Sequence, residues 1–151
     1  MRVAVKVPNV NVHLTKKQSR KVLEEAKLMK LMSFHPNCLT FHGYVCEEGY
    51  LALVSEVADA SLERLLGDEA IEGLTTNQRV SLAAGIANAL RGLHVQGVVH
   101  RDLKPANVLT KVQADGAYSP MVADFGLSRI RTKVSMLSTT KRTPQTGPAS
   151  A

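Results

Sequence analysis

The chain has 151 residues, 44% hydrophobic and 21% charged, with a formal net charge of +6; this excludes a disordered chain and allows a sizeable core. No apolar run approaches the roughly 18–20 residues needed to cross a bilayer, and Met1 to Pro8 alternates with Arg2 and Lys6 in place of a signal-type apolar run, so the ordered part is expected to be soluble. All 13 acidic residues precede Leu127, whereas Arg129, Arg131, Lys133, Lys141 and Arg142 follow it. The charge excess therefore sits in one Ser/Thr-rich tail without interleaved aromatics, which argues against nucleic-acid binding.

Arg2 to Val7 alternates Val3, Val5 and Val7 with Ala4 and Lys6, the pattern of a half-buried strand, and Pro8-Asn9 ends it. Thr15-Lys16-Lys17-Gln18 has capping-box form and opens a helix expected over 16–33. On that helix Val22, Leu28, Met29 and Met32 fall within about 60° of Glu25 at 100° per residue, so a carboxylate lies in the apolar stripe. A buried carboxylate is costly unless a cation meets it. Lys21, one turn earlier, and Lys6, on the strand, are both candidates, and this segment alone does not separate them.

His35-Pro36-Asn37 stops the helix, and Leu39 to Val45 with Leu51 to Val57 reads as a hairpin turning at Glu47-Glu48-Gly49. Val57-Ala58-Asp59-Ala60 suits a connector, with Ser61 or Asp59 capping a short helix that contains Leu62, Leu65 and Leu66 and ends at Gly67. A second capping box, Thr75-Thr76-Asn77-Gln78, starts a helix whose stripe is Val80, Ala83, Ala87, Leu90 and Leu93 and whose end is Gly97. Asp115-Gly116 marks a turn between short strands that close on Met121 to Ala123. After Gly126 the hydrophobic pattern fades into a segment expected to be mobile, with Ser135, Ser138, Thr139, Thr140, Thr143 and Thr146 as available hydroxyls. Cys38 and Cys46 fit neither a disulfide framework nor a zinc site; both are expected to be buried reduced thiols, which points to a cytoplasmic setting.

The chemistry concentrates in His100-Arg101-Asp102-Leu103-Lys104-Pro105-Ala106-Asn107 and Asp124-Phe125-Gly126. These segments place proton-binding and Mg²⁺-binding oxygens (Asp102, Asn107, Asp124) and one cation (Lys104) on loops. Apolar runs at Val98-Val99, Val108-Leu109 and Met121 to Ala123 anchor those loops, an arrangement suited to phosphate transfer.

The ordered set Val3-Ala4-Val5-Lys6, Glu25, His35-Pro36-Asn37, His100 to Asn107 and Asp124-Phe125-Gly126 resembles the eukaryotic protein kinase catalytic domain of serine/threonine type, from Val3 to at least Arg129. The resemblance implies an α+β, bilobal fold. Residues 1–57 would be a partial N-lobe of strand, regulatory helix and hairpin, residues 58–126 a partial C-lobe with catalytic loop and DFG, and residues 127–151 a mobile basic activation segment. It implies ATP and Mg²⁺ as cofactors and protein serine or threonine hydroxyls as acceptors.

Position by position, the resemblance makes Lys6 the holder of the α and β phosphates and Glu25 the holder of Lys6; such a pair at about 4 Å interacts by roughly 4 kcal/mol before desolvation. Ala4 and the backbone of Glu56-Val57-Ala58 would border the adenine, with Ser55 at the gatekeeper position. Asp102 would take or orient the acceptor proton, Lys104 would neutralise the transferred phosphate, and Asn107 and Asp124 would bind Mg²⁺. His100, Phe125, Met29 and Phe41 match the family's apolar regulatory stack, and Arg101 matches an arginine that pairs with a phosphate placed after DFG. Ser55 before Val57, the Ala60-Ser61-Leu62-Glu63 stretch and Thr146-Gly147-Pro148 resemble the tyrosine-kinase-like group of serine/threonine kinases.

The chain departs from the family pattern at both ends. No Gly-rich loop precedes Val3, no Ala-Pro-Glu segment follows, and Thr146-Gly147 stands where Gly-Thr is usual. The expectation is a kinase lacking its first two strands and its later helices, with little activity alone, the alternative being a non-catalytic, kinase-derived interaction module. A membrane-attached parent protein is compatible with these residues.

Overall fold

The computed structural model describes residues 2–7, 14–47, 50–67 and 74–130. The chain runs β1 (Ala4–Lys6), α1 (Lys16–Met32), β2 (Phe41–Glu47), β3 (Tyr50–Ser55), β4 (Ala60–Ser61), α2 (Leu62–Leu65), α3 (Thr76–Val95), β5 (Val98–Val99), a 3₁₀ turn (Pro105–Asn107), β6 (Val108–Val112), β7 (Tyr118–Val122) and β8 (Arg129–Ile130). This is a mixed α+β fold. Among the described residues no helix is long and apolar enough to cross a membrane.

Both long helices start where their capping boxes predict. The Gln18 N–H donates to Thr15 Oγ1 at 3.3 Å while the Thr15 N–H donates to Gln18 Oε1 at 2.9 Å, and Thr75 and Gln78 repeat the exchange at 3.2 and 2.9 Å. Each cap satisfies donors that the first turn leaves free, worth about 1 kcal/mol. Ser61, not Asp59, caps α2 by accepting from the Arg64 N–H at 3.1 Å. Asp59 instead accepts from the Val112 N–H at 2.8 Å.

The sheet order β1-β3-β2 is antiparallel throughout. Phe41 to Glu47 pairs with Ser55 to Tyr50, and β1 lies on the other edge of β3 with Ala4 opposite Ser55 and Lys6 opposite Leu53. The expected turn at 47–49 falls partly outside the described residues. A second antiparallel sheet, β4-β6-β7, carries the catalytic-type loops, and β5 pairs with β8.

One core joins the first sheet to α3 and β7. Met29 and Met32 of α1, Leu53 of β3, Ala89 and Leu93 of α3, and Val122 and Phe125 beyond it form a contiguous buried cluster. A smaller cluster gathers Leu62, Leu74, Leu82 and Val108. Apolar surface removed from water at these positions is the main stabilising term.

Four expectations are corrected. Val3, Val5 and Val7 are 40, 52 and 48% exposed: β1 is an edge strand, and its valine face is not buried. On α3 the expected Leu93 is buried and Leu90 packs against the core, but Val80, Ala83 and Ala87 are exposed while Leu82 and Ala89 are buried and Gly85 and Ile86 half-buried, so the centre of the packed face is turned by about one residue, roughly 100°, from that of the expected stripe. Alanine favours a helix on either face, so its periodicity marks α3 without marking the side that packs. Cys38 is buried but Cys46, on β2, is exposed. After Gly126 order continues: Ser128 is buried and β8 forms before the undescribed residues 131–151 begin.

Candidate active site

Lys6 is the meeting point of three distant segments. Its Nζ lies 2.8 Å from Glu25 Oε1 and 3.0 Å from Asp124 Oδ1, which selects Lys6 over Lys21 as the cation for the α1 carboxylate. The reason is topological: β1 runs along β3 in a register that turns Ala4 and Lys6 toward α1, and α1 buries Glu25 in its apolar stripe, where an unpaired charge is costly. Burial by itself lowers the Lys6 pKa, but the hydrogen bond and charge of Glu25, then those of Asp124, outweigh it and hold the ammonium above its ordinary 10.5. Because the Lys6 side chain is half exposed, solvent screens much of this attraction. The pair positions the side chain more than it stabilises the fold.

The loop after β5 gathers the second set. Asn107 Nδ2 donates to both the backbone oxygen and Oδ2 of Asp102, each at 2.8 Å, and Lys104 Nζ sits 3.0 Å from the same Oδ2. The Lys104 hydrogen bond, then that of Asn107, holds the Asp102 carboxyl below its ordinary 3.8. Asp102 is therefore an ionised acceptor at neutral pH, able to receive a hydrogen bond or a proton from a hydroxyl.

His100 fastens this loop to the next. Its Nδ1 accepts from the Asp102 N–H at 3.3 Å, so the proton is on Nε2, which donates to the Ala123 oxygen at 2.9 Å. The His100 and Phe125 rings are 5.4 Å apart and tilted by 57°, and Met29, Phe125 and the half-buried Phe41 share the main core. Ser128, which sequence reasoning missed, donates from Oγ to the His100 oxygen at 3.1 Å. Its only sequence signal was proximity to Gly126.

Arg101 and Asp124 adopt left-handed backbones, with φ of 68° and 61°. For Arg101 such a conformation costs about 1–2 kcal/mol, and the packed His100 beside it holds the loop in place. Asp124 tolerates the region better. Arg101 is exposed, and residues 131–151, which carry the hydroxyls considered as phosphate acceptors, lie outside the described residues.

Ala4, Lys6, Glu25, Ser55, Asn107 and Asp124 line one cavity of about 270 Å³. The Glu56 side chain is engaged elsewhere: Oε1 accepts from the Thr40 N–H at 2.8 Å and Oε2 meets Lys111 Nζ at 3.1 Å. Burial raises its pKa, but those partners outweigh burial and hold it below 4.5. The Glu56 N–H is also spent, donating to the Thr40 oxygen at 3.0 Å, so neither the Glu56 carboxylate nor its N–H is left for a ligand. Asn107 spends its amide nitrogen on Asp102, which leaves its carbonyl oxygen for a cation, and the Asp124 carboxylate lines the same cavity. Hard oxygen donors from two loops fit Mg²⁺, which takes few protein ligands and keeps water and phosphate oxygens for the rest.

The protein kinase domain description matches residues 1–145 of the chain. Among similar proteins, the serine/threonine-protein kinase PkaA of Streptomyces coelicolor is 44% identical over 108 residues, 71% of this chain and 19% of that protein. Dual specificity testis-specific protein kinase 2 of Homo sapiens is 42% identical over 116 residues, 76% of this chain and 20% of that protein. A Dictyostelium discoideum protein named as a probable serine/threonine-protein kinase is 34% identical over 129 residues, 85% of this chain and 24% of that protein. The chain spans less than a quarter of each of these three relatives. With its lysine, glutamate, HRD-type loop and DFG drawn together as described, the chain belongs to the protein kinase domain family, whose members are ATP-dependent.

Proposed function

We propose that the chain supplies the phosphoryl-transfer site of a serine/threonine protein kinase, passing the γ-phosphate of Mg²⁺-ATP to a protein hydroxyl. The observation that supports this is the Lys6 fork: one ammonium lies 2.8 Å from Glu25 and 3.0 Å from Asp124, so a cation suited to phosphate stands beside a carboxylate suited to a metal ion. Mg²⁺, when bound, neutralises phosphate charge and orients the γ-phosphate. Asn107 and Asp124 would hold it through oxygen, Lys6 would pair with the α and β phosphates, and Ala4 with the connector backbone would border the adenine.

Asp102 orients the acceptor hydroxyl and receives its proton, while Lys104, 3.0 Å from Asp102, steadies the charge of the group in flight. Lys104 supports serine or threonine as acceptor. The names of the relatives include both serine/threonine and dual-specificity kinases. The test is transfer of label from γ-labelled ATP to a generic protein substrate, followed by phosphoamino-acid analysis. Phosphoserine and phosphothreonine that disappear in Asp102→Asn support the reading; label in tyrosine alone, or label that survives in Asp102→Asn, refutes it.

A further inference from the structure

We propose that the two helix ends beside Phe34 form a site at which the protein rests on an anionic membrane surface. Phe34, Leu31 and Val95 enter the acyl boundary while Lys27, Lys30 and Arg91 meet lipid headgroups. The contact lies on the bilayer without spanning it and is independent of the phosphoryl-transfer reading.

Apolar surface is displayed here. Phe34, in the turn after α1, is 95% exposed, Val95 at the end of α3 is 75% exposed and Leu31 in the last turn of α1 is 45% exposed. All three line one cavity of about 340 Å³ with Met32, Arg91 and Gln96. They therefore form one patch in place of scattered single residues, and such a patch marks an interaction site.

The surroundings carry one sign of charge. Neither 26–46 nor 74–101, the segments that build the patch, contains an aspartate or glutamate, whereas they hold Lys27, Lys30, Arg79, Arg91 and Arg101. Lys27, Lys30 and Arg91 are exposed, and among the described residues none of these three is in an ion pair. Arg91 donates to the neutral Asn88 Oδ1 at 3.2 Å. The partner is therefore anionic. That rules out the chain's own residues 131–151, which carry Arg131, Lys133, Lys141 and Arg142 and no acid. It equally rules out this face paired with its own copy, where like charges would oppose.

The order along each helix selects a lipid surface over an acidic protein. Lys27 precedes Leu31 by four residues and Phe34 by seven, and Arg91 precedes Val95 by four, so each apolar end has a cation about one turn, roughly 6 Å, behind it on the same stripe. An apolar tip buried about 5–10 Å into the acyl boundary leaves such cations among the headgroups. Both helices present C-terminal ends here, whose partial negative charge Lys30 and His94 in the last turns offset. A protein partner would seat its apolar anchor in a desolvated pocket, whereas Phe34 stands almost free of the surface.

The test uses the whole chain, which contains no tryptophan, so Phe34→Trp supplies the single indole. Its emission is read on adding extruded vesicles of phosphatidylcholine alone or with about 30% phosphatidylserine. Anionic vesicles should shift the emission to the blue, and brominated acyl chains should quench it. In cosedimentation with the anionic vesicles, Phe34→Ser should lower partition about tenfold and Lys30→Gln about fivefold; both positions are exposed, so neither change disturbs the core. The Phe34→Ser loss should persist when Arg131, Lys133, Lys141 and Arg142 are all changed to Gln. Emission unmoved by anionic vesicles overturns the proposal, as does an equal shift on phosphatidylcholine alone or unchanged partition in Phe34→Ser. A shift with a copolymer of glutamate and leucine and none with vesicles overturns it in favour of an acidic protein partner.

Discussion

Asn107 Nδ2 lies 2.8 Å from Asp102 Oδ2, so the residue assigned to the metal and the residue assigned to the acceptor proton orient each other. The bond divides labour within one loop: Asn107 turns its nitrogen to Asp102 and keeps its oxygen for a cation, while Asp102 stays ionised between Asn107 and Lys104.

Asp102→Asn removes the proton acceptor while its amide oxygen can still receive the Asn107 bond. Transfer is expected to fall by about 10²–10⁴, with Mg²⁺-ATP affinity nearly unchanged. Single-turnover phosphotransfer alongside calorimetric binding measures both; equal turnover in the variant refutes the proton role.

Withdrawal of Mg²⁺ should weaken ATP binding in the wild-type chain by about tenfold, within the usual range for coupled ligands. In Asp124→Ala the same withdrawal should change little. Titration of a fluorescent ATP analogue with and without chelator decides it, and a full Mg²⁺ effect in the variant removes Asp124 from the ligand set.

The Asp102 carboxyl is held below its ordinary 3.8 by Lys104 first and Asn107 second. A depressed carboxyl contributes stability that is present above its unfolded value and lost as pH falls through the folded one, so this contribution disappears only below about pH 3.8. Lys104→Ala should move the Asp102 carboxyl titration upward toward 3.8 by NMR. No movement would show that Lys104 does not set its charge.

Cys38 is 2% exposed and its thiol is pushed up to about 12 by burial, whereas Cys46 is exposed. Brief alkylation of the native chain at pH 8 should modify Cys46 and spare Cys38, with both modified in denaturant. Equal native labelling would contradict the packing of Cys38 in the core.

Much of this was legible locally. The capping boxes fixed the starts of α1 and α3 because the cap residue and its partner are three apart in sequence. Glu25 stood out because a carboxylate in an apolar stripe demands a cation, but the choice between Lys21 and Lys6 needed the resemblance and then the fold. What sequence did not reveal depends on distant pairs: Asn37 with Pro120, Glu56 with Lys111 and Ser128 with His100 have no periodicity to announce them. The packed side of α3 was missed for a related reason. Gly85 and Gly92 contribute contact by lacking a side chain, which a hydrophobic pattern does not register. The two-residue strands β4 and β8 are likewise too short to show an alternation.

The most direct measurement is Mg²⁺-ATP affinity by calorimetry on the wild-type chain, Lys6→Met and Asp102→Asn side by side. The proposed function gives the grip on nucleotide to Lys6 and the acceptor chemistry to Asp102, so Lys6→Met should weaken binding by about tenfold, the loss of one charge-assisted contact, while Asp102→Asn binds like wild type. Lys6→Met binding as tightly as wild type, or Asp102→Asn losing as much affinity as Lys6→Met, would contradict that division.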